Sequence, residues 1–246
     1  MQQFSIDINA DLGEGMGNEE QLMPLISSCN IACGGHAGDA NTMRSIVKLA
    51  KAHKVKIGAH PSFPDTENFG RVFLEMPCAA LFKSIEDQVN ALVDMVNEEN
   101  TVLHHVKPHG ALYNSAVKDE RTATIIVEVM KSMHLPVYLY VPYKSVIANL
   151  AIENKIPIIY EAFADRNYND DLTLVSRSNE NAVLHDEDAV FNHVFRMISE
   201  EKVKTISGKE VEIKAHTFCI HGDNPKAIGL ANRLKRNLEA KGVSIL

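Results

Sequence analysis

One stretch near the amino terminus decides how the chain folds, and it reads Ile6-Asp7-Ile8-Asn9-Ala10-Asp11-Leu12-Gly13-Glu14-Gly15. Apolar and polar residues alternate strictly over positions 6 to 11, which is the two-residue period of a β-strand. The polar face consists of Asp7, Asn9 and Asp11. We interpret the stretch as an inward-facing barrel strand that carries site residues. The alternative is an exposed edge strand with acids on its solvent face.

The rest of the chain repeats a strand followed by a helix. Short apolar runs, often β-branched, alternate with segments of helical periodicity, and no Gly-, Ser- or Pro-rich linker divides them. We predict seven strands, at residues 4–8, 28–33, 55–59, 102–106, 137–141, 157–160 and 217–220. The pattern predicts an α/β fold, an irregular (β/α) TIM-like barrel of about seven strands, with residues 1–246 as a single domain.

Helical segments and two exceptions complete the pattern. Apolar residues recur at helical spacing, or the composition favours a helix, at 43–50, 81–96, 125–133 and 227–240. Residues 203–213 are typical of a hairpin that turns at 207–209. Residues 165–188 form a long polar connection, which we expect to lie over a functional site. It looks too polar to fold on itself, so we expect a partner to order it.

Composition excludes several classes of protein. The 246 residues hold 25 Lys and Arg against 32 Asp and Glu, a net charge of −7, without a basic cluster. We therefore expect no nucleic-acid binding and no binding to an anionic membrane. No apolar stretch approaches the roughly 18 residues of a membrane span, and the first four residues lack a signal-peptide pattern, so we expect a cytoplasmic protein. The cysteines are scattered, and we interpret them as small buried apolar residues: Cys29, Cys33, Cys78 and Cys219.

Each predicted strand ends in residues suited to acid–base or metal chemistry. Because the carboxyl ends of parallel barrel strands share one face, we expect these residues to form one site. Asp39 also precedes a helix, so its alternative role is to cap that helix. The candidates, in chain order, are Asn9, Asp11, Glu14, His36, Asp39, His60, Lys107, His109, Asp165, Arg166, Arg177, His221 and Asp223.

The acids and histidines allow two kinds of catalysis. Asp11, His36 and His60, with a further Asp or His, are candidate ligands of a divalent metal. Alternatively, these residues act with Glu14 and His109 as general acids and bases without a metal. The spacing does not choose between these possibilities, because ligands on different strands have no fixed interval in sequence.

The cationic residues are candidates for binding an anionic group. A lysine at a barrel strand end holds an anion or activates a nucleophile, so we expect Lys107 to be an unpaired cation that draws the substrate and takes part in catalysis. The alternative is a surface lysine beside a turn. Arginines near acids suit a carboxylate or phosphate held through two hydrogen bonds. We assign substrate binding to Asn9, Asp165, Arg166, Arg177, His221 and Asp223.

Six long motifs then identify a family resemblance. They are IDINADLGEG at 6–15, NIACGGHAGD at 30–39, IGAHPSFPD at 57–65 with NFGR at 68–71, HVKPHGALYN at 105–114, EAFADRNY at 161–168 with LVSR at 174–177, and CIHGDNP at 219–225. In this order they resemble the motifs of the LamB/YcsF family, the group of 5-oxoprolinase A subunits, over residues 6–241. The chain departs from the family pattern at Leu172, where glycine is usual, and at Ser176, where proline is common.

The resemblance implies an enzyme subunit. With two partner subunits, B and C, it would hydrolyse the lactam of 5-oxo-L-proline to L-glutamate, with ATP as co-substrate, on a barrel similar to polysaccharide deacetylases and glycoside hydrolases. The sequence contains no recognisable nucleotide-binding loop, so we expect ATP to meet the partners at least as much as this chain. The alternatives are a metal-dependent deacetylase or amidohydrolase of carbohydrate or amide substrates, and a non-catalytic binding subunit.

Overall fold

A closed barrel of parallel strands lies at the centre of the computed structural model, which describes residues 4–224 and 226–246. Residues 1–3 and Pro225, the last residue of the final motif, lie outside the described residues. The described strands are β1 (Ser5–Leu12), β2 (Ser28–Ala32), β3 (Lys56–His60), β4 (Leu103–Val106), β5 (Tyr138–Pro142), β6 (Ile158–Phe163), β7 (Lys202–Lys204), β8 (Glu210–Glu212), β9 (Thr217–Ile220) and β10 (Ser244–Ile245).

Seven of these described strands close the barrel. β1 to β6 pair side by side in chain order, β9 follows β6, and β9 also pairs with β1, all in parallel. The predicted strands are therefore confirmed, although β1 and β6 continue past their predicted ends. The predicted hairpin is β7 and β8. β10 was not predicted; it pairs with the start of β1.

Helices follow the strands. They are α1 (Glu19–Leu22), α2 (Ala40–His53), α3 (Cys78–Glu98), α4 (Gly110–Ala116), α5 (Glu120–Ser132), α6 (Val146–Glu153), α7 (Glu187–Glu200) and α8 (Ala227–Ala240), with a short 3-10 helix at Met23–Leu25. The predicted apolar faces are buried, as at Met43 and Ile46 of α2. Asp39 caps α2 by accepting a hydrogen bond from the Thr42 amide at 2.7 Å, which is the alternative role that the sequence left open.

The polar face of β1 points into the barrel. The strand is paired on both sides, so the edge-strand alternative is wrong. Residues 6 to 12 are all buried, and the Asp7 carboxylate accepts hydrogen bonds from the hydroxyls of Ser28 and Thr217, which lie on the neighbouring strands. The alternation thus places Asp7, Asn9 and Asp11 in series inside the barrel.

The connection between β6 and α7 is ordered by its own contacts, so the expectation that it needs a partner to fold is wrong. Isolated β-bridges join Arg166 to Val183 and Tyr168 to Leu174. Leu172 turns the chain with a φ of +64°, a left-handed conformation that favours glycine, the residue usual at this position in the family.

The described helices contain no segment long and apolar enough to cross a bilayer. All four cysteines are free, and Cys29, Cys33 and Cys219 are buried as expected. Cys78 is exposed at the start of α3, so its interpretation as a buried residue is wrong.

Candidate active site

A cavity of about 420 Å³ opens at the carboxyl ends of the barrel strands. Most candidate residues from the sequence line it directly: Asp11, Glu14, His60, Lys107, His109, Arg166, Arg177, His221 and Asp223. Three of the others contact this lining, whereas Asp39 caps α2. His36 binds Glu14, Asn9 lies 3.4 Å from the Lys107 ammonium, and Asp165 binds His221. The structure thus brings the candidates to one end of the barrel.

Lys107 is the buried centre of an ionic network. Its side chain is only 2% exposed, and Nζ lies 2.8 Å from Oδ1 of Asp11 and 3.1 Å from Oε1 of Glu161. Burial alone would lower the pKa of Lys107, but the negative charges around it, Asp11 foremost, raise it well above its usual value. The expectation of an unpaired cation is therefore wrong, because two carboxylates already neutralise the ammonium.

Asp11 is ionised in this network. Burial would raise the pKa of Asp11, but the charges of His60 and Lys107 outweigh it and hold the pKa well below its usual value. Its Oδ1 accepts hydrogen bonds from Lys107 and from Asn30 (2.7 Å), and its Oδ2 lies 3.5 Å from Nε2 of His60. Behind Asn30, the buried His105 ring lies against Tyr140 and fixes the amide.

The position of the buried His105 ring depends on Gly58 of β3. A Cβ at Gly58 would overlap the His105 ring, so any residue other than glycine at this position of β3 would displace the ring. The ring then lies 2.7 Å from Oδ1 of Asn30, which leaves the Asn30 amide group for Asn9 and Asp11. Gly58 thus supports the site from within the strand.

Three histidines surround Glu14 on one wall of the cavity. Oε1 of Glu14 lies 3.0 Å from Nε2 of His36, 3.3 Å from Nδ1 of His109 and 3.8 Å from Nε2 of His60. The His36 and His109 rings stack at 3.7 Å. One nitrogen of each ring and one carboxylate oxygen lie within 4.8 Å of one another.

The hydrogen bonds of these rings leave lone pairs facing each other. Nδ1 of His60 donates to the Lys107 carbonyl (2.7 Å), and Nε2 of His109 donates to the Phe69 carbonyl (2.9 Å). Burial, with His60 and His36 nearby, lowers the pKa of His109 well below its usual value and favours the neutral ring. When both rings are neutral, Nε2 of His60 and Nδ1 of His109 face each other at 3.0 Å as acceptors, beside a carboxylate.

This donor set fits a divalent metal. Facing lone pairs repel unless a cation lies between them, and three imidazoles with one carboxylate are ligands that zinc prefers. The ligand group keeps the predicted His36 and His60 with a further histidine, and it differs from the sequence prediction in its acid. Glu14 and His109 join His36 and His60, whereas the Asp11 carboxylate is engaged by Lys107 and Asn30.

A strained turn orients His109. Phe69 has a φ of +56°, unusual for a residue with a side chain, and the adjacent Gly70 has a φ of +62°. The turn presents the Phe69 carbonyl to His109. Backbone strain of this kind costs about 1–3 kcal/mol and is common at functional sites. The sequence showed the NFGR motif at 68–71 but not this role.

A histidine held by an aspartate lies just after the ends of β9 and β6. Nδ1 of His221 lies 2.7 Å from Oδ1 of Asp165, and the ring stacks on Phe163. Burial would raise the pKa of Asp165, but His221 outweighs it and the pKa is lowered. Nε2 of His221 has no hydrogen-bond partner among the described residues, while the residue itself lines the cavity.

Arginines occupy the mouth of the cavity. Arg71 and Arg177 both donate to Oδ2 of Asp223. Arg166 lies deeper, because its guanidinium donates to the carbonyls of Ala182 and Val175, and burial lowers its pKa to about 10.

Sequence reasoning missed three residues of the cavity. Arg71 closes the NFGR motif and Glu161 lies at the end of a strand, so both had a signal. Tyr113 donates its hydroxyl to Oε2 of Glu161 at 2.7 Å, and only its position one turn after His109 indicated it.

Known proteins resemble this chain along its full length. The model of the LamB/YcsF family matches residues 6–246. A relative from Bacillus cereus (strain AH187), named as the A subunit of 5-oxoprolinase, is 40% identical over 247 residues, 98% of each chain.

Solved structures also resemble this chain. The crystal structure of a lactam utilization protein from Thermus thermophilus superposes with a TM-score of 0.91 at 36% identity, covering 98% of this chain and 99% of that one. The peptidoglycan deacetylase PdaC from Bacillus subtilis, 10% identical over 99% of this chain and 87% of its own, has a TM-score of 0.51 and shares the fold alone. With the family pattern matched from the first barrel strand to the last residue, the chain belongs to the LamB/YcsF family.

Proposed function

We propose that this chain is the A subunit of an ATP-dependent 5-oxoprolinase, which with two further subunits, B and C, opens the lactam of 5-oxo-L-proline to L-glutamate. The observation that carries the proposal is the end-to-end match to a relative of that name. The cavity supports it, since it combines carboxylates, imidazoles and guanidiniums at the face where barrel enzymes hold their active sites.

The reaction needs activation, a base and an acid. An amide carbonyl is a poor electrophile, and transfer of the ATP γ-phosphoryl group to the lactam oxygen would make the ring carbon reactive. A first water adds to that carbon, the ring C–N bond breaks and the nitrogen takes up a proton, which leaves an acyl phosphate. A second water hydrolyses the acyl phosphate and releases phosphate. Glutamate, ADP and phosphate are the products.

Asp11 is positioned to take the proton of the attacking water. Its carboxylate is ionised, lines the cavity and is fixed by hydrogen bonds from Lys107 and Asn30. Lys107 orients this base rather than binding the substrate, because the ammonium is buried between Asp11 and Glu161.

His221 is positioned to give a proton to the leaving nitrogen. Asp165 holds Nδ1, which leaves Nε2 available on the cavity side. A positioned acid or base of this kind contributes about 10²–10⁴ in rate.

A divalent metal fits beside these groups. Glu14, His36, His60 and His109 would hold it. When bound, such an ion polarises a carbonyl and lowers the pKa of bound water.

Subunits B and C complete the enzyme. The sequence carries no recognisable nucleotide-binding loop, so we place much of the ATP site on the partners. We place this enzyme in the cytoplasm, where ATP is available.

Reconstitution tests the proposal. Purified chain, both partners, 5-oxoproline and ATP should release glutamate, whereas the chain alone should release none above background. The Glu14 cluster and the deacetylase-like barrel favour one competing function, metal-dependent amide hydrolysis. ATP-independent release of acetate from acetylated sugars by the chain alone, with no glutamate from the complex, would establish that function instead.

A further inference from the structure

We infer that Arg71 and Arg177 form a binding site for the carboxylate of the lactam substrate, at the mouth of the cavity. The inference rests on the proposed function and specifies its substrate class, which is lactams that carry an acidic group outside the ring. Asp223 is the resting counter-ion of this pair.

The pair is incompletely neutralised. Both guanidiniums reach the same carboxylate oxygen, Oδ2 of Asp223, and neither has another carboxylate within 4.0 Å among the described residues. One positive charge therefore lacks a counter-charge. The deeper Arg166 adds to the positive potential, since Arg177 and Arg71 both contribute to lowering its pKa.

Arg71 and Arg177 are accessible, whereas the other cations of the cavity are not. Their side chains are 39% and 38% exposed. Lys107 is buried between two carboxylates, and the guanidinium of Arg166 donates hydrogen bonds to backbone carbonyls. An anionic group that enters the cavity therefore meets Arg71 and Arg177 first.

Loops from separate strands hold the pair. Arg71 follows the strained Phe69 turn, and its guanidinium lies 4.9 Å above the Phe69 ring. Arg177 belongs to the long connection after β6, and Asp223 follows β9. Planar guanidiniums fixed in this way suit a planar carboxylate.

Charge also orients the ligand. The buried end of the cavity is rich in carboxylates, Asp11, Glu14 and Glu161, with the single ammonium of Lys107 among them. These acids disfavour a further carboxylate there, and they already match the charge of a metal ion when one is bound, whereas the guanidiniums attract a carboxylate at the mouth. A substrate that places its carboxylate on Arg71 and Arg177 thus directs its neutral lactam toward Asp11 and the histidines.

The test is kinetic and uses the reconstituted complex. Arg71→Gln and Arg177→Gln should each raise the KM for 5-oxo-L-proline about tenfold or more, the scale of one charge-assisted hydrogen bond, with a smaller change in kcat. The KM for ATP should not change. Arg236→Gln, on the exposed face of α8, is the matched control and should behave as wild type.

A neutral analogue separates carboxylate recognition from general damage. 5-Oxo-L-prolinamide, which lacks the carboxylate charge, should inhibit wild type and both variants equally. An unchanged KM for 5-oxoproline, a raised KM for ATP, or equal losses for acid and amide would overturn the inference. If the wild-type complex itself made no glutamate, the proposed function would fail instead.

Discussion

At the scale of single residues, the buried charges of the site do not balance within the protein. Asp11 and Glu161 flank the ammonium of Lys107, and Glu14 lies among three histidines. Burial lowers the pKa values of His36 and His109 and favours their neutral forms. Buried charge without compensation is costly, so this excess points to a bound cation.

Metal binding is therefore expected at the Glu14 cluster. Titration calorimetry with Zn²⁺ or Mn²⁺ should show about one site per chain. Glu14→Gln and His109→Gln should each weaken binding at least about tenfold, because each removes a ligand. His53→Gln, on the exposed end of α2, is the control. Equal affinity in Glu14→Gln and wild type would refute the assignment.

Asp165 should matter for rate through His221. Asp165→Asn keeps the size of the side chain but removes the charge that orients the imidazole, so kcat of the complex should fall about 10²-fold or more with little change in KM. Asp94→Asn, a surface substitution on α3, should leave kcat unchanged. A normal kcat in a folded Asp165→Asn chain would remove His221 from the mechanism.

Asp165 should also make stability depend on pH. Its pKa is lowered in the folded chain, against about 3.9 when unfolded. The ionised carboxylate thus stabilises the fold above about pH 4. This contribution to the free energy of unfolding is lost as the pH falls through the folded-state pKa. Urea unfolding should show the gap in stability between wild type and Asp165→Asn shrinking between pH 5 and pH 3. A gap that widens in acid would contradict the ion pair.

The residue scale also shows where sequence reasoning ends. Alternation alone predicted that Asp7, Asn9 and Asp11 share one face, because strand geometry fixes that at short range. The neutralisation of Lys107 was not predictable, because Glu161 is far from it in sequence and its approach depends on barrel closure.

At the scale of elements, the connection between β6 and α7 illustrates the same limit. Its polar composition indicated a loop, but its folding depends on Arg166 reaching backbone carbonyls up to 16 residues away in sequence, at Ala182. Short-range signals did succeed for the β7–β8 hairpin, whose Ser207-Gly208-Lys209 turn has Gly208 at a φ of +89°.

Leu172 offers a test of this connection. Leu172→Ala should lower the free energy of unfolding by about 2 kcal/mol or more, because a buried side chain is lost while the left-handed backbone keeps its cost of about 1–2 kcal/mol. Leu172→Gly loses the same side chain but relieves the backbone. The glycine variant should thus be the more stable of the two, by about 1 kcal/mol, in urea unfolding.

A matched pair controls that comparison. Leu174 lies in the same connection, and its backbone does not adopt the left-handed conformation. At this position Leu174→Ala should be more stable than Leu174→Gly. Glycine relieves no backbone strain here, and it increases the conformational entropy of the unfolded chain. If the alanine and glycine variants ranked in the same order of stability at both positions, the left-handed conformation of Leu172 would be contradicted.

At the scale of the whole molecule, the barrel was the most predictable feature. The seven barrel strands and four of the helices, α2, α3, α5 and α8, follow from local periodicity, and the parallel order follows from the right-handed connection of such units. The peptidoglycan deacetylase shares this fold at 10% identity, so the fold alone does not specify the chemistry. The side chains at the strand ends do.

The most direct measurement is glutamate release by the complex when only this chain carries a change. We propose that its cavity is where the lactam opens. Glutamate formation should therefore fall about 10²-fold or more with His221→Gln, while the subunits assemble as before and His53→Gln keeps the full rate. An undiminished rate with a correctly assembled His221→Gln complex would contradict the proposal.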